Sequence, residues 1–175
     1  MILGDIAIRE YLGQGKGVIG FKPENINPNS VDLTLNSEMS VYANRILDCR
    51  QKNEVEKIEM TSEGYVLIPN VIYLATTNET LDLKPMLFEK TICSRVEGKS
   101  SLGRLGLFIH ITAGWIDAGF KGSLVLELTV VQPLKIYPDM KICQIAFMES
   151  TEVEKHYGEK EGSKYQNQVG AQESK

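Results

Sequence analysis

The feature that most constrains this chain is a series of short segments in which apolar residues alternate with others, each closed off by turn formers. Residues 123–131 are the clearest case. Leu124, Leu126, Leu128 and Val130 fall on one face, and Ser123, Val125, Glu127, Thr129 and Val131 on the other. A period of two is the side-chain period of a strand, not of a helix. Residues 31–35, 91–96, 107–111 and 141–147 read the same way, and Ile92, Ser94 and Val96 share a face. Residues 65–68 and 71–74 flank a Pro69-Asn70 turn. Many short strands at close spacing predict a mainly β chain, closed as a barrel or a sandwich.

Other stretches depart from that pattern. Residues 5–12 predict one short N-terminal helix, with Asp5 as its cap and Gly13 and Gly15 ending it. Residues 25–30, with Pro28, form a turn-rich entry to the following strand. Residues 53–63 are charged and weakly patterned, and read as an exposed loop. From about Tyr157 the chain turns polar and carries Gly158, Gly162 and Gly170. Such a segment buries little and is expected to be mobile when nothing holds it. The expected organisation is a β domain over residues 1–156 and a flexible C-terminal lid over residues 157–175. There is no internal repeat.

Bulk properties narrow the function classes. A chain of 175 residues can build a real core as one domain. A formal net charge of −4 argues against a large nucleic-acid surface. A small phosphorylated ligand needs only a local cluster of cations. Cys49, Cys93 and Cys143 are odd in number and far apart, so they give neither a disulfide framework nor a metal knuckle. They suit a reducing cytosol, and a cytoplasmic location is expected. The N-terminus lacks the charged and apolar regions of a signal peptide. No apolar run approaches a membrane span.

Chemistry concentrates between Gly98 and Glu127. Ser100 and Ser101 precede Leu102 and Leu105 and read as the N-cap of a short helix. Exposed N–H groups there, with Lys99 and Arg104 beside them, make a phosphate cradle. The plainer alternative is an ordinary cap and a surface arginine. Asp117 lies in a glycine-flanked turn, either as a catalyst or as a turn former. Phe120 is open to two roles, packing on a sugar face or filling the core. Glu127 is a lone carboxylate within an apolar strand. It is either solvent-exposed or set in a pocket, where desolvation would let it take a proton from water and return it. His110 and His156 are isolated, and His110 reads as a satisfied core residue rather than a metal ligand. No His-x-Glu…Pro-Cys-x-x-Cys pattern is present, so the zinc route to nucleobase deamination is closed. No Walker-type loop is present either. In the tail, Tyr157, Lys164, Tyr165 and Gln168 belong to a solvated end or to a lid, with Lys164 on phosphate and Gln168 on a base edge.

Taken jointly, several motifs resemble the dCTP deaminase family of the trimeric dUTPase superfamily. They are Asn27-Pro28-Asn29-Ser30-Val31-Asp32-Leu33, then Gly98-Lys99-Ser100-Ser101-Leu102-Gly103-Arg104-Leu105-Gly106, then Thr112-Ala113-Gly114-Trp115-Ile116-Asp117-Ala118-Gly119-Phe120, then Leu126-Glu127. The tail motif is Ser163-Lys164-Tyr165-Gln166-Asn167-Gln168. The resemblance runs from about Ile26 to the end, with a variable middle. It implies a distorted jelly-roll β-barrel, a homotrimer with active sites at subunit interfaces, and zinc-free deamination of dCTP with Mg²⁺ on the triphosphate. Glu127 matches the family's catalytic glutamate. Ser100, Arg104 and the carbonyl of Ala113 match residues that hold the attacking water and the phosphates. Lys99, Ser101, Trp115, Phe120, Tyr157, Lys164 and Gln168 fall among the implied nucleotide contacts. No residue is implied as a direct metal ligand.

Within that family, Gly114-Trp115 after Thr112-Ala113 is similar to the bifunctional members that carry dCTP through to dUMP and pyrophosphate. In those members Asp117 would activate the water that attacks phosphorus. Members that stop at dUTP usually carry His-Arg after the Thr-Ala pair. Lys99 departs from the usual Arg, exchanging a bidentate fork for a point charge. Asn36 stands where a Gly commonly follows the strand. Two alternatives remain at this stage: a dUTP pyrophosphatase without deaminase activity, and a non-catalytic regulator that senses dNTPs.

Overall fold

The computed structural model describes residues 1–86, 90–110 and 112–174. Helix α1 (Asp5–Gly13) leads into β1 (Gly17–Ile19), a 3₁₀ turn (Pro23–Asn25), β2 (Ile26–Asn27) and β3 (Ser30–Tyr42). Strands β4 (Val55–Glu59), β5 (Tyr65–Leu67), β6 (Tyr73–Asp82) and β7 (Ile92–Gly98) follow. The remainder is α2 (Ser100–Gly103), β8 (Leu107–Phe108), β9 (Trp115–Ile116), β10 (Lys121–Val130), β11 (Leu134–Ile136) and β12 (Lys141–Glu149).

β3 sets the architecture because its two halves pair with different neighbours. Val31 to Thr34 pair with β12, whereas Leu35 and Met39 to Val41 pair with β6 and Glu38 to Tyr42 with β4. The antiparallel order β8-β10-β6-β3-β12-β7-β9 therefore curls about β3 as a partly closed barrel. The inward residues of each strand meet in one core. Leu33, Leu35, Leu126, Leu128, Ile145 and Phe147 are fully buried. Helix α1 adds Ile8, Tyr11 and Leu12, and the Tyr11 ring meets Phe147 edge-on at 5.5 Å. Each such burial stabilises the fold by about 1.5–3 kcal/mol.

The alternation in residues 123–131 is realised. Leu124, Leu126, Leu128 and Val130 point inward on β10, while Val125, Glu127 and Thr129 are half-buried on the other face. Several boundaries differ from expectation. Gly4 rather than Asp5 caps α1, and Asp5 sits in the first turn. The segment read as an exposed loop contains β4, a largely exposed strand on β3. The strands flanking Pro69-Asn70 do not pair with each other: β5 joins β11, and β6 joins β3 and β10. β6 also extends well past residue 74 through buried Thr76, Thr77 and Glu79. The strand expected over residues 107–111 is regular at Leu107–Phe108, and Ile111 lies outside the described residues.

The tail runs back over β10. Tyr157 N–H donates to Ala118 O at 2.8 Å, Asn167 N–H to Lys121 O at 2.7 Å, and Ser123 N–H to Gln168 O at 2.9 Å. The Gln166 amide donates to Gly119 O at 3.0 Å and accepts from Lys121 N–H at 3.0 Å. Gly122 permits this approach: its φ is +145°, and a Cβ there would meet the Gln168 backbone at 3.0 Å. The polar composition of the tail is thus matched by hydrogen bonding, with Tyr157 and Tyr165 packed against the core. Lys175, the last residue of the expected lid, lies outside the described residues.

Candidate active site

β10, the turn that precedes it and the docked tail enclose a cavity of about 510 Å³. Its walls include Glu127 from β10, His110, Ala113, Trp115, Asp117 and Phe120 from the preceding segments, and Tyr157, Tyr165 and Gln168 from the tail. Leu126 and Leu128 hold β10 in the core, so Glu127 between them must face the cavity side. Its side chain is 38% exposed, whereas that of His110 is only 8% exposed. His110 Nδ1 is in hydrogen-bond contact with Glu127 Oε2.

Asp117 is exposed and lines the same cavity. Its backbone carbonyl accepts from Phe120 N–H at 3.2 Å, closing the turn. Its carboxylate takes no hydrogen bond among the described residues, so the turn does not depend on that side chain. Trp115 stands 55% exposed at the rim. Phe120 is buried and tilts against Tyr157 with ring centroids 5.6 Å apart, so it is wall rather than open platform. Gln168 is buried, donates from Nε2 to Ser123 O at 2.8 Å, and leaves Oε1 buried without a partner among the described residues. A buried unpaired acceptor costs roughly 1–3 kcal/mol, so a ligand donor there would be favoured.

The cation-bearing segment sits apart from these walls. α2 has four residues, its N-cap is Lys99 rather than Ser100 or Ser101, and no side chain caps it. Ser100, Ser101 and Arg104 are exposed, and none of them lines the cavity of this chain. Lys99 turns inward and pairs with buried Asp32. Asp32 also takes Lys141 Nζ at 3.2 Å and Asn27 Nδ2 at 2.9 Å. Burial pushes the Asp32 carboxyl up, but the hydrogen bonds from Lys99, Lys141 and Asn27 outweigh it and hold the group below its ordinary value. Lys99 therefore anchors the start of α2. Lys164 is exposed and lies outside the cavity walls. Among the described residues no group of three or more His, Cys, Asp or Glu is placed to hold a metal ion. No helix there is long and apolar enough to cross a membrane.

Sequence reasoning placed His110 in the core and missed its partner. The signal was the strand register. β8 and β10 are antiparallel, with Val130 opposite Leu107 and Thr129 opposite Phe108. Continuing by two residues sets Glu127 opposite His110. The cavity lining also includes Tyr42, Gln172, Glu173 and Ser174, which no motif signalled.

Residues 2–150 match the family model described as dCTP deaminase-like. Curated proteins similar to this chain include the "dCTP deaminase, dUMP-forming" of Clostridium botulinum (strain Eklund 17B / Type B), 44% identical and covering 99% of this chain and 95% of its own. The protein of the same description from Hathewaya histolytica is 42% identical, over 99% of this chain and 96% of its own. That from Leptospira biflexa serovar Patoc (strain Patoc 1 / Ames) is 39% identical, over 99% and 95%. Among solved structures, a 2'-deoxycytidine 5'-triphosphate deaminase from Agrobacterium tumefaciens superposes with a TM-score of 0.68 at 24% identity. That match spans 85% of this chain and 48% of the other, and it is a likeness of fold.

Proposed function

The chain belongs to the dCTP deaminase-like family, and from that premise we propose that it deaminates the cytosine of dCTP and carries the product on to dUMP and pyrophosphate. The observation that carries this reading is that Glu127 and Asp117 line one cavity, the Asp117 carboxylate taking no hydrogen bond among the described residues. In the first reaction, water adds to C4 of cytosine while Glu127 takes its proton. Glu127 passes that proton to N3, then carries the proton of the new C4 hydroxyl to the amino nitrogen; the C4–N bond to the amino group breaks, the C4 carbonyl forms, and ammonia leaves. In the second, Asp117 orients and deprotonates water that attacks the α-phosphorus. The bond to the bridging oxygen breaks and pyrophosphate departs.

The remaining groups take the roles that their match to the family motifs implies. The Ala113 carbonyl holds the attacking water, and Trp115 and Phe120 bound the base and sugar. Tyr157 and Gln168 hold the nucleotide from the tail side, where the unpaired Gln168 Oε1 offers an acceptor. Lys164 reaches phosphate when the tail tightens. Ser100, Ser101 and Arg104, outside this chain's own cavity, complete the site of a neighbouring copy in a homotrimer. Lys99 acts there through Asp32, by fixing where α2 begins. Bound with the triphosphate, Mg²⁺ would neutralise its charge. The lining fits that role: Asp117, Glu127 and Glu173 bring carboxylates to the cavity, and among the described residues no group of three or more His, Cys, Asp or Glu is placed to hold a metal ion by itself. No step requires zinc. The enzyme is read as cytoplasmic, with no nucleic-acid or membrane partner.

Glu127→Gln tests the reading. Ammonia release from dCTP is expected to fall at least about 10²-fold while nucleotide binding persists. Turnover near the wild-type rate would remove Glu127 from the chemistry.

A further inference from the structure

The contact between His110 and Glu127 plays no part in the scheme above. We propose that His110 is a positioning residue for deamination: its Nδ1–H fixes one oxygen of the Glu127 carboxylate and so aims the other at the attacking water. This rests on the proposed role of Glu127. Three observations carry it. His110 Nδ1 meets Glu127 Oε2 across the extended register of β8 and β10. The His110 side chain is 8% exposed and that of Glu127 38% exposed, so a held ring bears on a carboxylate open to the cavity. Both residues line that cavity.

The physical need is plain. A glutamate side chain has three rotatable bonds, and an unheld carboxylate at a half-open wall samples many orientations. A general base works only within hydrogen-bond reach of the proton it takes. Cross-strand contact from a buried ring removes that freedom before substrate arrives. With Glu127 ionised, Nδ1 must be the protonated nitrogen, since the carboxylate can only accept. Among the described residues no hydrogen bond or ion pair joins Asp117 to His110, so the second reaction is not expected to depend on the pair.

The test uses His110→Ala, His110→Asn and His110→Gln in the full chain, with dCTP and dUTP as separate substrates. Asn carries an amide N–H at the same bond count from Cβ as Nδ1, and Gln carries it one bond further out. For His110→Ala, the kcat of ammonia release is expected to fall about 10²-fold, the effect of misplacing a catalytic group. KM is expected to hold within about threefold, and dUMP formation from dUTP within about twofold. His110→Asn is expected to recover most of the deamination rate, and His110→Gln little of it. Deamination unaffected in His110→Ala overturns the proposal, as do equal losses on dCTP and dUTP or recovery by Gln equal to that by Asn. Wild-type protein that releases no ammonia from dCTP overturns the parent reading together with this one. Wild-type deamination with an indifferent His110→Ala overturns this one alone.

Discussion

Asp32 shows how one side chain ties stability to the site. It is buried beneath Lys99 and Lys141, and three donors hold its carboxyl below the ordinary range. A carboxylate whose folded pKa is depressed contributes stability that is fully present above its unfolded pKa, about 3.9. That contribution disappears as pH falls through the lower folded value. Stability measured by denaturant titration is therefore expected to drop as pH falls below about 4, and Asp32→Asn should flatten that limb. Lys99→Met is expected to cost about 1–3 kcal/mol, because it removes a donor from a buried charge. An unchanged denaturation midpoint would show that Lys99 does not anchor α2. Asp117 behaves oppositely. Its carboxylate takes no hydrogen bond among the described residues, so Asp117→Asn should leave the melting temperature unchanged. Pyrophosphate release should fall far more than ammonia release. Parallel loss of both activities with stability would make Asp117 a turn residue.

Among the elements, the tail depends most on hydrogen bonds. Gln166, Asn167 and Gln168 lace it to Lys121 and Ser123 at the start of β10. Removing residues 157–175 takes Tyr157, Tyr165 and Gln168 from the cavity wall but leaves the core strands intact. The truncated chain is expected to fold with its β-sheet circular dichroism preserved and to lose activity by at least about 10²-fold. Full activity would return the tail to a solvated end. Polar composition did not disclose this docking, because backbone and amide hydrogen bonds leave no hydrophobic pattern. Likewise β4 was hidden, since a strand with its side chains largely in solvent carries charge rather than alternation. The far half of β6 was hidden because it buries polar residues: Glu79 accepts from Thr34 N–H and Oγ1, both at 2.9 Å. Strands with one apolar face, such as β10 and β7, were legible from their period. Glu127 and Asp117 were legible as isolated acids. His110 was not, because its meaning lies in the register between two strands that no local pattern sets.

At the scale of the whole molecule, Lys99 and Arg104, the cations that flank α2, do not line this chain's cavity. The proposed homotrimer joins them by setting the α2 of one copy beside the cavity of another. Glu127→Gln and Arg104→Ala, each inactive alone, should then regain part of the activity when unfolded together and refolded as mixed assemblies. No recovery in mixed assemblies would mean that each site is built from one chain. The central claim is more direct: this fold removes ammonia from dCTP and carries the product to dUMP. The measurement is to incubate the purified protein with dCTP and Mg²⁺ and to quantify ammonia, pyrophosphate and nucleotide over time. Ammonia, pyrophosphate and dUMP are expected in equal amounts as dCTP disappears. Accumulation of dUTP as the sole nucleotide product would contradict the second reaction, and dCTP that persists with no ammonia released would contradict the account as a whole.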